Sequence, residues 1–185
     1  MGDGDRLVTE RLVLRRWTDE DRLTFAAMNA DPAVMEFFPA LLSRAESDAM
    51  VDRIEAGFAE TGFGLWALER RDSARFIGFT GLAPVRHAIA CQGQIEVGWR
   101  LAREAWGHGL ATEAARAALA YGFDVAGLGE VMSMTAAVNT RSRAVMERLG
   151  MRRDPADDFE HPVVPPGPLR HHVVYRLPAT APTRR

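Results

Sequence analysis

The sequence predicts a mixed α/β (α+β) domain whose strands and helices do not alternate strictly. Three observations predict it. Gly93 to Phe123, GQIEVGWRLAREAWGHGLATEAARAALAYGF, reads as a strand, a glycine-punctuated turn and an alanine-rich helix. Before it, one strand signal is followed by three helical signals and a hairpin. After it, strand and helix alternate before a last strand. Elements grouped in this way do not build a fully doubly wound parallel sheet.

Taken in order, residues 1–6 are short, polar and glycine-containing, a loose end. From Arg11 to Trp17, Leu12, Leu14 and Arg16 alternate with Val13, Arg15 and Trp17 as a first strand. Thr18 and Asp19 can cap a helix whose acidic start, Asp19-Glu20-Asp21, suits the positive end of its dipole. Asp31-Pro32 predicts a second, short helix ending near Phe37-Phe38-Pro39, because proline is tolerated in a first turn. Ser43-Arg44-Ala45-Glu46 is a capping-box signature, and the helix it starts stops before Gly62.

Phe63–Glu69 and Phe76–Val85 predict a hairpin across the polar turn 70–75, and 86–93 a loop. In the central strand Ile95, Val97, Trp99 and Leu101 alternate with Gln94, Glu96, Gly98 and Arg100. In the helix that follows, Leu110, Ala114, Ala118 and Tyr121 form one apolar stripe. Glu130–Val138 predicts a strand, Thr140–Leu149 a helix closed by Gly150, and Met151-Arg152 the start of another strand. Five prolines make 155–168 mostly loop, and alternation over His171–Leu177 predicts the last strand. Residues 7–178 are thus expected to form one domain, with 179–185 a loose tail.

Composition narrows the function. A net charge of -2 argues against a general nucleic-acid binder. No apolar run approaches the roughly 18–20 residues that span a bilayer, so no membrane association is expected. The start, MGDGDR, carries no apolar signal region, and a single cysteine suits a reducing cytoplasm. His87, His108, His161, His171 and His172 show no helical metal-binding spacing, so no metal is expected. Cys91 has no histidine beside it, which leaves an acyl-cysteine intermediate without support.

A strand feeding a glycine-rich helix start is a device for holding phosphate. The first N–H groups of a helix lack intrahelical partners, and the dipole favours an anion there. Trp106-Gly107-His108-Gly109-Leu110-Ala111-Thr112 supplies such a start, though two glycines alone can also mark only a tight turn. Neither GxGxxG nor GxxxxGK[ST] is present, so nicotinamide and Walker-type readings fail.

This stretch resembles the acetyl-CoA signature Arg/Gln-x-x-Gly-x-Gly/Ala of the GNAT superfamily of N-acyltransferases, with Trp106 departing at the first position. The WGxGxATEA form is similar to the branch of ribosomal-protein N-terminal (alanine/serine) acetyltransferases. A second match, Asn139-Thr140-Arg141-Ser142 followed by Glu147-Arg148-Leu149-Gly150-Met151, is similar to the family's N-x-x-S…E-x-x-G-F/M element. With TERLVLRRW at the start, the resemblance covers roughly residues 7 to 178.

The resemblance implies a mixed, mostly antiparallel sheet whose central strands splay, with acetyl-CoA as cosubstrate in the gap. It implies pantetheine pairing near Trp99, Arg100 and Leu101, diphosphate contacts from Trp106 to Thr112, and Asn139 against the pantetheine. Ser142 would then stand near the sulfur, although Asn139 and Ser142 also read as an N-cap arrangement. Tyr121 and Tyr175, the only tyrosines, do not lie on that helix. The general base stays open between Glu96, Glu130 and a water chain, and the N–H of Val97 or Trp99 is a candidate oxyanion donor. Met35–Leu42 corresponds to the family's acceptor wall, with Glu36, Phe37 and Phe38 facing an amine. That amine is a protein N-terminus or a small molecule, and direct attack in a ternary complex is expected. A non-catalytic acyl-CoA sensor and a transferase of a longer acyl group, such as succinyl, are the alternatives. The commonest assembly for such a chain is a homodimer.

Overall fold

The computed structural model describes residues 4–86, 89 and 91–179. The chain opens with β1 (Arg6–Val8) and β2 (Leu12–Arg15), paired antiparallel. The loose end is shorter than expected. Arg6 pairs with Arg15, and the Gly4 carbonyl accepts a 2.7 Å bond from the Trp66 indole. Trp66 is fully buried, and a buried indole N–H needs a partner.

Helix α1 (Asp19–Asn29) starts at Thr18, whose N–H donates to Asp21 Oδ2 at 2.9 Å. Helix α2 (Arg44–Thr61) starts at Ser43 with the capping box to Glu46 and ends at left-handed Gly62. Between them the short helix expected over 31–38 is absent, and the segment is a run of turns. The Asp31 carboxylate accepts from Ala33 N–H at 2.8 Å and its carbonyl accepts from Met35 N–H at 3.0 Å. The Asn29 carbonyl accepts from Leu42 N–H at 3.1 Å, drawing the segment back to the end of α1. Its bonds are spent on turning, and Pro39 supplies no N–H to extend a helix.

The hairpin forms as β3 (Leu65–Arg70) and β4 (Phe76–Pro84), and β5 (Ile95–Leu101) adds antiparallel to β4. A 3-10 turn (Arg103–Ala105) leads into α3 (Leu110–Asp124), then β6 (Glu130–Ala136) and α4 (Thr140–Arg148). Short β7 (Arg152–Arg153) and β8 (Phe159–Glu160) precede β9 (His171–Pro178). Ala179 N–H bonds the Gly129 carbonyl at 2.8 Å, so pairing runs one residue past the expected boundary. The described residues make a nine-stranded sheet in the order β1-β2-β3-β4-β5-β6-β9-β7, with β8 on β9.

Every pairing is antiparallel except that of β5 with β6. Those two parallel strands share one register pair, Glu96 with Met132, and part beyond it. The expected fold class, a mixed and mostly antiparallel sheet with splayed central strands and flanking helices, is the observed one. Helix α3 lies on β4 and β5 through buried Leu110, Ala114 and Ala118, whose small side chains let the helix sit close. Trp17, Phe25 and Phe79 pack ring to ring at 4.8–6.4 Å beneath α1.

Candidate active site

The splay opens into a cavity of about 1050 Å³. Its walls bring together Glu96, Trp99, Arg100 and Leu101 from β5, and Trp106, Gly107 and Gly109 to Thr112 from the helix mouth. Asn139 and Ser142 come from α4, and Phe37 and Phe38 from the turn segment. His108 and Glu36 stand off it.

The helix mouth is built by backbone conformation. Gly107 and Gly109 have φ of 79° and 74°, a region costly for any residue with a Cβ. The first bond back into the turn is Glu113 N–H to Gly109 O at 3.0 Å, so the amides ahead of it face the cavity. Glu113 anchors the turn from behind. Its carboxylate accepts from Thr9 Oγ1 at 2.6 Å, Arg11 N–H at 2.9 Å and Arg11 Nε at 2.6 Å. Arg11 also donates from Nη1 to the His108 carbonyl at 2.9 Å. Burial alone would raise the Glu113 pKa, but these donors hold it below the usual carboxylate value. TERL at the chain start and ATEA in the helix are therefore one structural unit.

The open edge of β5 follows from strand geometry. Ala102 N–H is bonded to Ile77 O on the β4 side, at 2.9 Å. Alternation then directs Arg100 and Gly98 to β4, and Val97, Trp99 and Leu101 to the gap. Beyond the Glu96–Met132 bridge, the first N–H and C=O aimed at the gap belong to Trp99, while the Leu101 carbonyl accepts from the Trp106 indole at 2.8 Å. Arg100, expected among the backbone partners of pantetheine, instead presents its side chain to the cavity.

Glu96 sits at the apex of the splay. Enclosure by protein pushes its pKa from 4.5 up to about 7, with the Met134 amide opposing the rise. A carboxylate so tuned is half-ionised near neutral pH, which suits proton transfer. Glu130, the other carboxylate considered as base, is exposed and accepts from Arg176 at 3.0 Å.

Asn139 is the N-cap of α4, accepting from Ser142 N–H at 3.1 Å. Its Nδ2 donates to Thr135 Oγ1 at 3.0 Å and to Ser142 Oγ at 3.2 Å. The capping reading is therefore correct for Asn139. Ser142 Oγ accepts from Asn139 and lines the cavity, and its own proton remains for donation.

Behind the opposite wall, Glu36 accepts from Arg141 at 2.5 Å, taking that arginine where a substrate cation was expected. Arg141 also lies over the Trp106 ring at 4.4 Å and the Phe37 ring at 5.2 Å, tying the turn segment to α4. Cys91 is buried and its thiol pKa raised by burial, the opposite of an activated nucleophile. Tyr121 donates to the Gly62 carbonyl and Tyr175 to Glu147, both as structural links. His87 lies outside the described residues. Among the described ones no group of three His, Cys, Asp or Glu is placed to hold a metal ion, and no helix is long and apolar enough to cross a membrane.

Sequence reasoning missed several walls. Ser133 and Thr135 of β6, and His161, Val164 and Leu169 of the proline-rich segment, line the cavity. Ser133 and Thr135 share one face of β6 by the period of two, a signal present in the sequence, whereas nothing in a proline-rich loop signals which way it folds.

Comparison with known proteins agrees with this geometry. The sequence pattern of the acetyltransferase (GNAT) domain matches residues 11–152. YkkB of Bacillus subtilis is 35% identical over 150 residues, 79% of this chain and 84% of that protein. FsC-acetyl coenzyme A-N(2)-transacetylase of Aspergillus fumigatus is 29% identical over 178 residues, 92% of this chain and 75% of that protein. Among solved structures, a ribosomal-protein-S5-alanine acetyltransferase from Vibrio fischeri superposes with a TM-score of 0.72 at 15% identity, covering 94% of this chain and 96% of that one. The domain pattern matches more than two thirds of a chain whose glycine-shaped helix start stands beside a split sheet: the protein belongs to the GNAT family and is an acetyltransferase.

Proposed function

We propose that residues 7–178 act as one acetyl-CoA-dependent N-acetyltransferase domain, moving an acetyl group to a primary amine by direct attack in a ternary complex. The observation that carries this is convergence. The amides of Gly107 and of Gly109 to Thr112, the free strand edge at Trp99, the carboxylate of Glu96 and the hydroxyl of Ser142 all meet in one cavity. The cavity's residues fit coenzyme A: amides at a helix start suit a diphosphate, and an unpaired strand edge suits the amides of pantetheine.

In this reading the thioester carbonyl is polarised by Trp99 N–H, the first amide free beyond the bridge. The amine nitrogen forms a bond to the carbonyl carbon as the carbon–sulfur bond breaks. Glu96, directly or through water, takes the proton that the ammonium must lose before attack, and the second proton, shed as the nitrogen becomes an amide, goes to the departing sulfur to give the free thiol. Ser142 donates a hydrogen bond to the departing sulfur, whose thiol has a pKa comparable with free cysteine, about 8.5. The relative from Aspergillus fumigatus carries acetyl coenzyme A and N-transacetylase in its name, which supports the same donor and the same kind of acceptor atom. A cytoplasmic setting suits the single, reduced cysteine, Cys91.

A screen of acetyl-CoA against small amines and short peptides, followed by release of free thiol, tests the proposal. Saturable release with one acceptor class is the expected result. Tight binding of acetyl-CoA with no turnover for any amine would make the protein a sensor instead.

A further inference from the structure

Arg100 is the one arginine whose side chain is both buried, at 9% exposure, and without an ion pair among the described residues. Its Nη1 donates to Asn29 Oδ1 at 2.7 Å, and the Asn29 amide is fixed from behind by its own bond to Ser47 Oγ at 2.9 Å. The guanidinium lies over the Phe38 ring at 4.1 Å and 5.6 Å from that of Phe79. Its Nε is buried and has no hydrogen-bond partner. Burial lowers the pKa only to about 10, so the group stays cationic at neutral pH.

A buried charge without a counter-ion is costly, and chains retain one where a ligand supplies the compensation. The cation faces the cavity that holds Glu96 and Ser142. Glu96, Gly98 and Arg100 share one face of β5, and a Cβ built on Gly98 would meet nothing within 4 Å. An open trough therefore runs along this face of β5 between Glu96 and Arg100, whose Cα atoms are about 13 Å apart. Phe38, 38% exposed, closes it from the turn segment that forms the acceptor wall.

We infer that the acceptor is a primary amine bearing a carboxylate, with its amine at the Glu96 end of the trough and its carboxylate on Arg100. The inference rests on the transferase reading above and adds the acceptor's chemical class. Arg100 is then a specificity-determining residue, and Asn29 and Ser47 position it. Charge-assisted bonds to a guanidinium are strong and directional, so the carboxylate selects by presence as well as by distance from the amine.

The test is a series of ω-amino acids from glycine to 6-aminohexanoate, each beside the alkylamine of equal length. Rates with acetyl-CoA and equilibrium binding in the presence of coenzyme A are both measured. The inference expects at least one ω-amino acid to exceed its matched amine in kcat/KM and in affinity by at least about tenfold. In Arg100→Met this ratio falls towards one, and Arg100→Lys restores part of it. The wild-type series stands on its own should Arg100→Met fold poorly. Turnover with no carboxylate preference anywhere in the series overturns the inference and leaves the transferase reading intact. Selective binding of carboxylates without turnover for any amine overturns both, because a carboxylate that is bound and never acetylated is not an acceptor. If succinyl-CoA outpaces acetyl-CoA with the neutral amines, Arg100 serves the acyl donor, and the inference is overturned.

Discussion

Glu96 and Met132 are the single register pair by which β5 meets β6, and the strands part from there. Two parallel strands joined at one point form a fork whose floor is protein and whose arms are open. The half-buried Glu96 side chain hangs at the root of that fork, and the edge of Trp99 is the first backbone beyond it. Sheet topology thus sets the pKa of the candidate base and frees the strand edge at the same time.

The pH dependence of turnover follows from this placement. With its pKa at about 7, Glu96 loses its basic form as pH falls through neutrality. The kcat/KM profile should drop on its acid side around that value. Glu96→Gln should lower kcat/KM by about a hundredfold and remove that limb. Steady-state rates across the neutral range check both.

The same shift has a stability consequence of opposite direction to most carboxylates. A carboxyl whose folded pKa is raised binds its proton more tightly in the native state, so stability falls as pH rises from 4.5 to about 7. Above that range the ionised group costs up to about 3 kcal/mol. Glu96→Gln should therefore be more stable than the parent in mildly alkaline buffer and nearly equal to it in acid. Denaturant melts at the two pH values measure the difference.

Ser142 and Asn139 can be separated by substitution. Ser142→Ala keeps the backbone N–H that caps α4 through Asn139 Oδ1, so its melting temperature should stay near that of the parent while kcat drops about tenfold. Asn139→Ala removes the cap and leaves Thr135 without its partner, costing about 1–2 kcal/mol of stability as well. Thermal melts beside initial rates distinguish the two.

The anchor behind the helix mouth gives another outcome. Glu113→Ala removes the carboxylate that Thr9 and Arg11 share, leaving Thr9 its bonds to Leu12 and loosening the Arg11 side chain that holds the His108 carbonyl. About 1–2 kcal/mol of stability should go, the half-exposed Arg11 pair adding little of it. Coenzyme A affinity should weaken about tenfold, although no atom of Glu113 faces the cavity proper.

Much of this architecture was legible because it is written in local chemistry. The Thr18 and Ser43 caps, the alternation of β5 and the glycines ahead of α3 each carry a physical signal in a few consecutive residues. The segment at 31–39 misled for the same reason: Asp31-Pro32 is a sound helix start, but the bond from Leu42 to the Asn29 carbonyl, a longer-range contact, decides the outcome. Gly4 could not be seen to anchor the N-terminus, since its partner Trp66 lies far along the chain. Glu36 read as a free anion because Arg141 is 105 positions away. Arg100 read as a backbone partner of pantetheine; only the fold shows that its side chain is buried with no carboxylate among the described residues to meet it.

The central claim is that the amides from Gly107 to Thr112 hold the diphosphate of coenzyme A, and calorimetric titration with coenzyme A tests it most directly. One site per chain is predicted, with affinity lowered about tenfold or more in Gly109→Ala, where a side chain is forced to a positive φ. No heat of binding to the folded parent protein, or equal affinity in a folded Gly109→Ala, would contradict it.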